Sequence, residues 1–352
     1  MKFDVLIVGA RVAGSSCAKL LAQAGYRVLL LEKNSRVGEP CRCAGLVSHR
    51  IFDFFKNLPE ELVLNKVEKA LFLSGNSSLE VEARKKAYIL DRVSLDKFLF
   101  EEATQAGAQA RLEEKFLSFR KKRGELLVKT SRQTYATKLL VGADGALSEV
   151  AKRANLQQPV KLYKALQTTA KISVDEEKVE LWFDKKICKD FFGWCIPLSS
   201  KLARLGIATQ FNAYSAYFRF LKRRVGKFVE PNVAGAWRVG LMRKTCSDNV
   251  LLVGGSASQT KPFSGGGIIY SLIASRLCAE ACDKALREED FSSEFLQNHY
   301  EKKWKLKLAP AIRKGILLNS LLFSLASSQL DFFFKLLNPL RKQLKSIDFD
   351  LL

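Results

Sequence analysis

Val5-Leu6-Ile7-Val8-Gly9-Ala10-Arg11-Val12-Ala13-Gly14 is the stretch that decides the fold of this chain. Four consecutive apolar residues without alternation predict a strand buried on both faces, as in a parallel sheet. After the glycine turn, Cys17, Leu20, Leu21 and Ala24 recur at helical spacing from Ser15 to Ala24, and Gly25 stops the helix. A second apolar strand, Arg27 to Leu31, runs into Glu32-Lys33. Strand, glycine turn, helix, strand and acid, in that order, make a dinucleotide-binding unit. The turn built on Gly9, Ala13 and Gly14 aims backbone N–H groups and the positive helix end at a pyrophosphate. Glu32 is spaced to accept hydrogen bonds from the adenosine ribose. Arg11 stands where a second glycine is usual, and its guanidinium either points into solvent or pairs with phosphate.

A second glycine turn lies far along the chain. Gly254-Gly255-Ser256-Ala257 follows the apolar run Val250 to Val253, and Pro262-Phe263-Ser264-Gly265-Gly266-Gly267-Ile268 comes after it. The two turns read as the halves of one cradle. The triple glycine opens a long apolar helix, from about Ile268 to Leu286, and lets backbone approach a ligand closely. A hinge before a core helix also fits Gly265 to Gly267, but leaves the first turn unexplained.

Between the turns the pattern changes. Leu166–Val174, Val179–Phe183, Phe192–Pro197 and Leu202–Thr209 read as antiparallel strands, with a hairpin signal at Ser199-Ser200-Lys201. The expected fold is therefore α/β. A Rossmann-like dinucleotide domain takes residues 1–154 and 246–290, an inserted antiparallel sheet 155–245, and a helical region 291–352.

Several stretches in this order resemble the geranylgeranyl reductase family of FAD-dependent oxidoreductases, within the p-hydroxybenzoate-hydroxylase-like group. Besides the two turns they are Gly38-Glu39-Pro40-Cys41-Arg42-Cys43-Ala44-Gly45-Leu46-Val47-Ser48, Asp91-Arg92-Val93-Ser94-Leu95-Asp96, Gly142-Ala143-Asp144-Gly145-Ala146-Leu147-Ser148, and Phe192-Gly193-Trp194-Cys195-Ile196-Pro197 with Arg204 to Ala208. The resemblance runs from residue 1 to about 310. It implies FAD as cofactor, with Arg92 beside the flavin or its phosphates and Asp144 holding the loop near the pyrophosphate. Gly254, Gly266, Gly267 and Ile268 complete that set with Gly9, Arg11, Ala13, Gly14, Glu32 and Lys33. The family carries Asp where this chain has Gly255, so a bond to the ribityl chain is missing.

The resemblance further implies reduction of double bonds in a long isoprenoid, with a hydride from reduced flavin and a proton from Cys43 or a bound water. Cys43 also reads as a small buried hydrophobe. The sheet would form the substrate chamber, with Phe192 and Trp194 either lining it or filling the sheet's own core. NAD(P)H or a reduced ferredoxin-like protein would supply electrons. Two alternatives stay open: a monooxygenase or dehydrogenase of the same fold acting on a phenol or quinone, and a flavin-free basic binding protein marked by Arg11 and Gly255.

The 352 residues are 47% hydrophobic and 27% charged, an ordinary folded composition that predicts two sub-domains. The eight cysteines form no pair of spaced doublets, so no structural zinc site is expected. No secretory signal is read, which predicts reduced thiols and a cytoplasmic protein. The formal charge of +22 favours anionic partners, yet no nucleic-acid motif accompanies it. Lys302 to Lys314 is basic, and Leu318, Leu321, Leu322, Leu325, Phe332, Phe333 and Leu336 are read as one apolar face. That face either lies peripherally on an anionic membrane or covers the protein's own core. Oligomeric state leaves no signature.

Overall fold

In the computed structural model, which describes residues 1–157 and 160–340, the opening apolar run is the central strand of a parallel sheet. Along the chain, β1 (Lys2–Val8), α1 (Val12–Gln23) and β2 (Val28–Leu31) lead into β3 (Leu46–Ser48), β4 (Val63–Leu73) and β5 (Ser78–Leu90). Then come α2 (Arg92–Gln105), β6 (Gln109–Arg111), β7 (Phe116–Lys122), β8 (Glu125–Thr130), β9 (Thr134–Gly142) and α3 (Glu149–Arg153). Next are β10 (Lys161–Lys171), β11 (Lys178–Trp182), β12 (Gly193–Ser199), β13 (Leu202–Thr209), α4 (Ala213–Val225) and β14 (Val233–Val239). The chain ends through β15 (Cys246–Ser247), β16 (Val250–Leu252), α5 (Ile268–Glu288), α6 (Ser293–Leu296), α7 (Lys302–Ser324) and α8 (Ser327–Leu337).

The chain divides into two compact units, each assembled from separate segments. The first comprises residues 1–39, 93–160 and 237–313. Its sheet runs β15-β16-β9-β1-β2-β6, with β16, β9, β1, β2 and β6 parallel to one another, β15 antiparallel to β16, and the β7–β8 hairpin attached antiparallel to β9. Val5 to Ile7 and Leu29 to Leu31 have almost no exposed surface, as uninterrupted apolar strands require. Leu6, Leu29, Leu140, Val150 and Leu252 join in one core, each contributing about 1.5–3 kcal/mol by burial. On α1 and α5 small residues allow close approach: Ser275 Oγ donates to Ala13 O at 2.9 Å. Cys17 and Cys282 hydrogen-bond with Cys278, and these contacts, with burial, hold the Cys278 thiol well above its usual value.

The second unit comprises, of the described residues, 40–92, 161–236 and 314–340. Its sheet runs β14-β10-β13-β12-β11-β4-β5-β3. Most recorded pairings are antiparallel, and the β12–β13 hairpin closes between Ser199 and Leu202 as its turn residues predict. Two expectations are corrected. β4 and β5 belong to this sheet because β11 pairs with β4, and that pairing is parallel. The inserted region is therefore larger than 155–245, and 40–92 leaves the dinucleotide domain.

The helical region is divided too, since 291–313 falls in the first unit and 314–340 in the second, while 341–352 lies outside the described residues. Its single apolar face is also corrected. The helix breaks between Ser324 and Ser327, so the periodicity restarts: Leu322, Leu330 and Phe334 are buried, while Leu321, Phe332 and Leu336 face solvent. Among the described residues, no single helix is long and apolar enough to cross a membrane.

Candidate functional site

The first unit carries the glycine cradle. Gly9 (φ +103°) turns the chain out of β1, and a Cβ there would sit 2.5 Å from Ala143 O. A Cβ on Gly14 would stand 1.8 Å from Gly9 O, so helix and turn touch backbone to backbone. Arg11 is the N-cap of α1 and provides no side-chain cap. Its Nη2 donates to Gly38 O at 3.2 Å, tying the turn to the loop before Glu39. Asp96, on α2, accepts from Val12 N at 3.1 Å and is almost fully buried. Thus a carboxylate from a distant helix steadies the first turn of α1, a role that the sequence reading missed.

Glu32 is buried at the end of β2. Its two oxygens accept from Ala10 N (3.1 Å) and Asn34 N (3.0 Å), so it braces the turn. Lys33 beside it is exposed.

Asp144 accepts from Ser148 Oγ (2.5 Å), Glu149 N (2.7 Å) and Val150 N (3.1 Å), fixing the start of α3. Burial pushes its carboxyl above the usual range, and these hydrogen bonds pull it back. The loop that Asp144 anchors is the one pressed against Gly9.

The second glycine turn meets the first through Gly254 (φ +70°), whose added Cβ would lie 2.8 Å from Ala13 Cβ. Gln259 Oε1 accepts from Gly254 N at 2.7 Å, and Ser256 Oγ donates to Gly142 O at 2.5 Å. Gly255 lies beside Gly145 and Ala146. Further on, Lys261 N donates to Gly266 O and Gly265 N to Lys261 O, both at 2.9 Å. This closes the loop before α5, whose N-cap is Gly267 and whose first residue is Ile268. Arg238 Nη1 is buried with no hydrogen-bond partner among the described residues. Burial pushes that guanidinium below its usual value, while Asp144 draws it back up.

These residues fit FAD. The turns of Gly9, Gly14 and Gly254 are tight enough to exclude any Cβ, and the N-termini of α1 and α5 lack side-chain caps. The buried Arg238 Nη1, on a side chain that feels the charge of Asp144, suits a pyrophosphate.

The second unit carries the cysteine loop. Gly45 N donates to Cys43 Sγ at 3.4 Å, and Cys41 Sγ contacts Cys43 O at 3.5 Å. Cys43 and Cys41 are half-buried, whereas the other six cysteines are buried. Arg204 Nη1, on β13, donates to Ala44 O (2.6 Å) and Leu90 O (3.3 Å). Gly45 (φ +82°) has no room for a Cβ between Leu90 O and the Arg204 side chain, and buried Arg92 packs on the same glycine. Cys43, Arg92 and Arg204 thus form one constellation. Arg204 read only as a strand marker in the sequence; its signal is a cation inside an otherwise apolar strand.

Phe192 and Trp194 are placed in the unit's own packing. Phe192 stacks on Phe191 at 4.4 Å, while Trp194 covers Gly206 and donates to Gln167 Oε1 at 3.0 Å.

The sequence model of the FAD binding domain family matches residues 2–194. Digeranylgeranylglycerophospholipid reductase 2 of Methanothermobacter thermautotrophicus is 29% identical over 351 residues, covering 94% of this chain and 90% of that protein. Digeranylgeranylglycerophospholipid reductase 1 of Methanococcoides burtonii is 28% identical, covering 99% and 89%. The crystal structure of a geranylgeranyl bacteriochlorophyll reductase-like protein from Thermoplasma acidophilum superposes with a TM-score of 0.90 at 23% identity, over 99% of this chain and 94% of the other, and establishes the fold.

Proposed function

The chain belongs to the FAD binding domain family, in its geranylgeranyl reductase branch, and is an FAD-dependent oxidoreductase; from that premise we propose that it saturates carbon–carbon double bonds of a long isoprenoid chain carried on a phospholipid. The supporting observation is likeness along nearly the whole chain to two proteins named for that lipid class. The flavin-free alternative is set aside by the family match.

FAD, when bound and reduced, supplies the hydride. The protein's part is the proton. We assign it to the Cys43 thiol, which transfers H⁺ to the carbon that the hydride does not take; the thiolate left behind is reprotonated from water. The Gly45 N–H on Cys43 Sγ stays in place to stabilise that thiolate. Arg204 holds the Ala44 carbonyl and fixes the sulfur's position. In unit 1, the Gly9–Gly14 and Gly254 turns would hold the pyrophosphate, Arg11, Lys33 and Arg238 would supply positive charge, and Glu32 would accept from the ribose. The place of Arg92 beside the flavin or its phosphates is what the family resemblance implies. Electrons come from NAD(P)H or a reduced ferredoxin-like protein. The enzyme works in the cytoplasm, peripheral to an anionic membrane that carries its substrate.

The test is anaerobic incubation of purified holoenzyme with a digeranylgeranyl phospholipid and a chemical reductant, followed by mass spectrometry. The expected product gains two hydrogens per saturated bond. Cys43→Ala should lose turnover and keep the bound-flavin spectrum. Oxygen-consuming turnover of a phenol with no reduction of prenyl lipid overturns the proposal.

A further inference from the structure

The second unit leaves apolar side chains outward on elements that are tied together by hydrogen bonds. On α4, Arg219 Nε and Nη2 donate to Ile187 O at 3.2 and 3.0 Å. Lys185 Nζ, in the same loop, donates to Phe323 O at 2.7 Å, at the end of α7. On α8, the Asp331 carboxylate accepts from Ser74 Oγ and from Asn76 N (3.0 Å) in the β4–β5 turn. Arg223 Nη2, back on α4, donates to Gly75 O in that turn at 3.4 Å. The circle α4, loop 185–189, α7 end, α8, β4–β5 turn and α4 is thus closed by contacts within one unit.

Covering the core explains only part of this face. Leu330 and Phe334 of α8 are buried, and Phe334 meets Phe72 and Phe183 edge-on. Phe332 (68% exposed), Phe333 and Leu336 of the same helix point away from that contact. Phe211 (71% exposed), Tyr214 and Phe218 form a stripe along the start of α4, and Leu317 and Leu321 project from α7.

Cations lie beside Phe211. A cavity of about 750 Å³ is lined by Lys185, Lys186, Lys189 and Arg219, with Phe211 among its walls and the start of α4 at Asn212 and Ser215. Its one acidic lining residue, Asp190, is already engaged with Thr209 Oγ1 (2.6 Å) and Gln210 N (2.8 Å). Lys222, Arg223 and Lys335 extend the positive surface over α4 and α8.

We propose that this face docks on an anionic lipid bilayer, with the aromatic and leucine tips entering the interfacial layer and the basic cavity taking an anionic headgroup. Scattered large apolar tips among lysines and arginines suit a headgroup–acyl boundary, where apolar burial and attraction to anionic lipid act together. A chain with a formal charge of +22 has the complementary sign for such a surface.

The docking rests on the reading that the substrate resides in a membrane, yet its test is separate. Vesicles of phosphatidylcholine, with or without roughly a third phosphatidylglycerol, contain no isoprenoid, so flotation can fail while the reductase assay succeeds, and the reverse. The full chain should float with the anionic vesicles and much less with the neutral ones. Two variant sets address the two halves of the mechanism: Phe211→Ser with Phe332→Ser and Leu336→Ser, and Lys186→Glu with Lys189→Glu. Each should lower partitioning by at least about tenfold while turnover of detergent-dispersed substrate stays unchanged. Lys121→Glu with Lys122→Glu, in the first unit, carries the same charge change and should leave flotation intact. Equal loss with that control pair would reduce the effect to bulk charge and overturn the proposal. So would wild-type protein that does not float, or serine variants that float unchanged. Conversion from dimer to monomer by the serine set would overturn it in favour of a second copy of the chain.

Discussion

Replacing Gly255 by aspartate puts a carboxylate where the resembled family has one, and the structure sets the expected gain. Gly255 does not have the positive φ that penalises side chains, so the backbone accepts the change without strain. The new Cβ would lie 3.3 Å from Ala146 N and from Gly145 Cα, so those atoms must give by a few tenths of an ångström. Gly145 has open space at its own Cβ position and is half-buried, which makes that shift easy. A charge-assisted hydrogen bond to the ribityl chain is worth about 1.5–3 kcal/mol. After the small packing cost, a net gain of about 1–2 kcal/mol corresponds to roughly 5- to 30-fold tighter FAD. Titration of apoprotein into FAD, followed by flavin fluorescence, measures it. Gly255→Asn, of the same shape without the charge, should gain less. An unchanged or higher Kd for Gly255→Asp, with the apoprotein's melting temperature unaltered, would refute the reasoning that this carboxylate is the missing contact.

Other outcomes follow from the same structure. Gly14→Ala forces a Cβ to within 1.8 Å of Gly9 O, so the turn must open, and FAD retention on gel filtration should be lost. Iodoacetamide on native protein should label Cys41 and Cys43 and spare the six buried cysteines, with peptide mass spectrometry giving the positions and denatured protein as the positive control. Alkaline pH should destabilise the fold. Burial pushes the Cys188 thiol from 9.0 up to about 11, those of Cys195 and Cys246 to about 12, and the phenols of Tyr163 and Tyr217 from 10.0 to about 12. Above pH 9 the unfolded chain sheds these protons first, so it binds fewer than the folded chain and stability falls as pH rises from 9 toward 12. The melting temperature should decline across that window; a flat profile would contradict the burial of these groups.

What the sequence disclosed and what it withheld divide along the range of the interactions. The dinucleotide unit was legible because its signals are local. An unbroken apolar strand, a glycine turn and a helix stopped by Gly25 each specify their own geometry within a few residues, and β1, α1 and β2 follow them closely. The β12–β13 hairpin was legible for the same reason. The allegiance of residues 40–92 was not, because it is decided where β4 finds β11, a parallel pairing across more than a hundred residues that no local pattern encodes. The site residues obey the same rule. Glycines announce themselves by type, whereas Asp96 acts on a backbone N–H 84 residues away and Arg204 on a carbonyl 160 residues away. Their chemistry is ordinary, and only the fold gives it an address.

That difference bears on how the departures at Arg11 and Gly255 are tolerated. A glycine turn that relied only on its own residues would lose its shape once one of them changed. Here the turn is held from outside, by Asp96 on Val12 N, by Glu32 on Ala10 N and by the Ala143 carbonyl against Gly9. Arg11 itself adds a fourth tether through Gly38. The bracing separates the shape of the cradle from the identity of its tip, so the architecture of the turns stays intact with Arg11 and Gly255 in place.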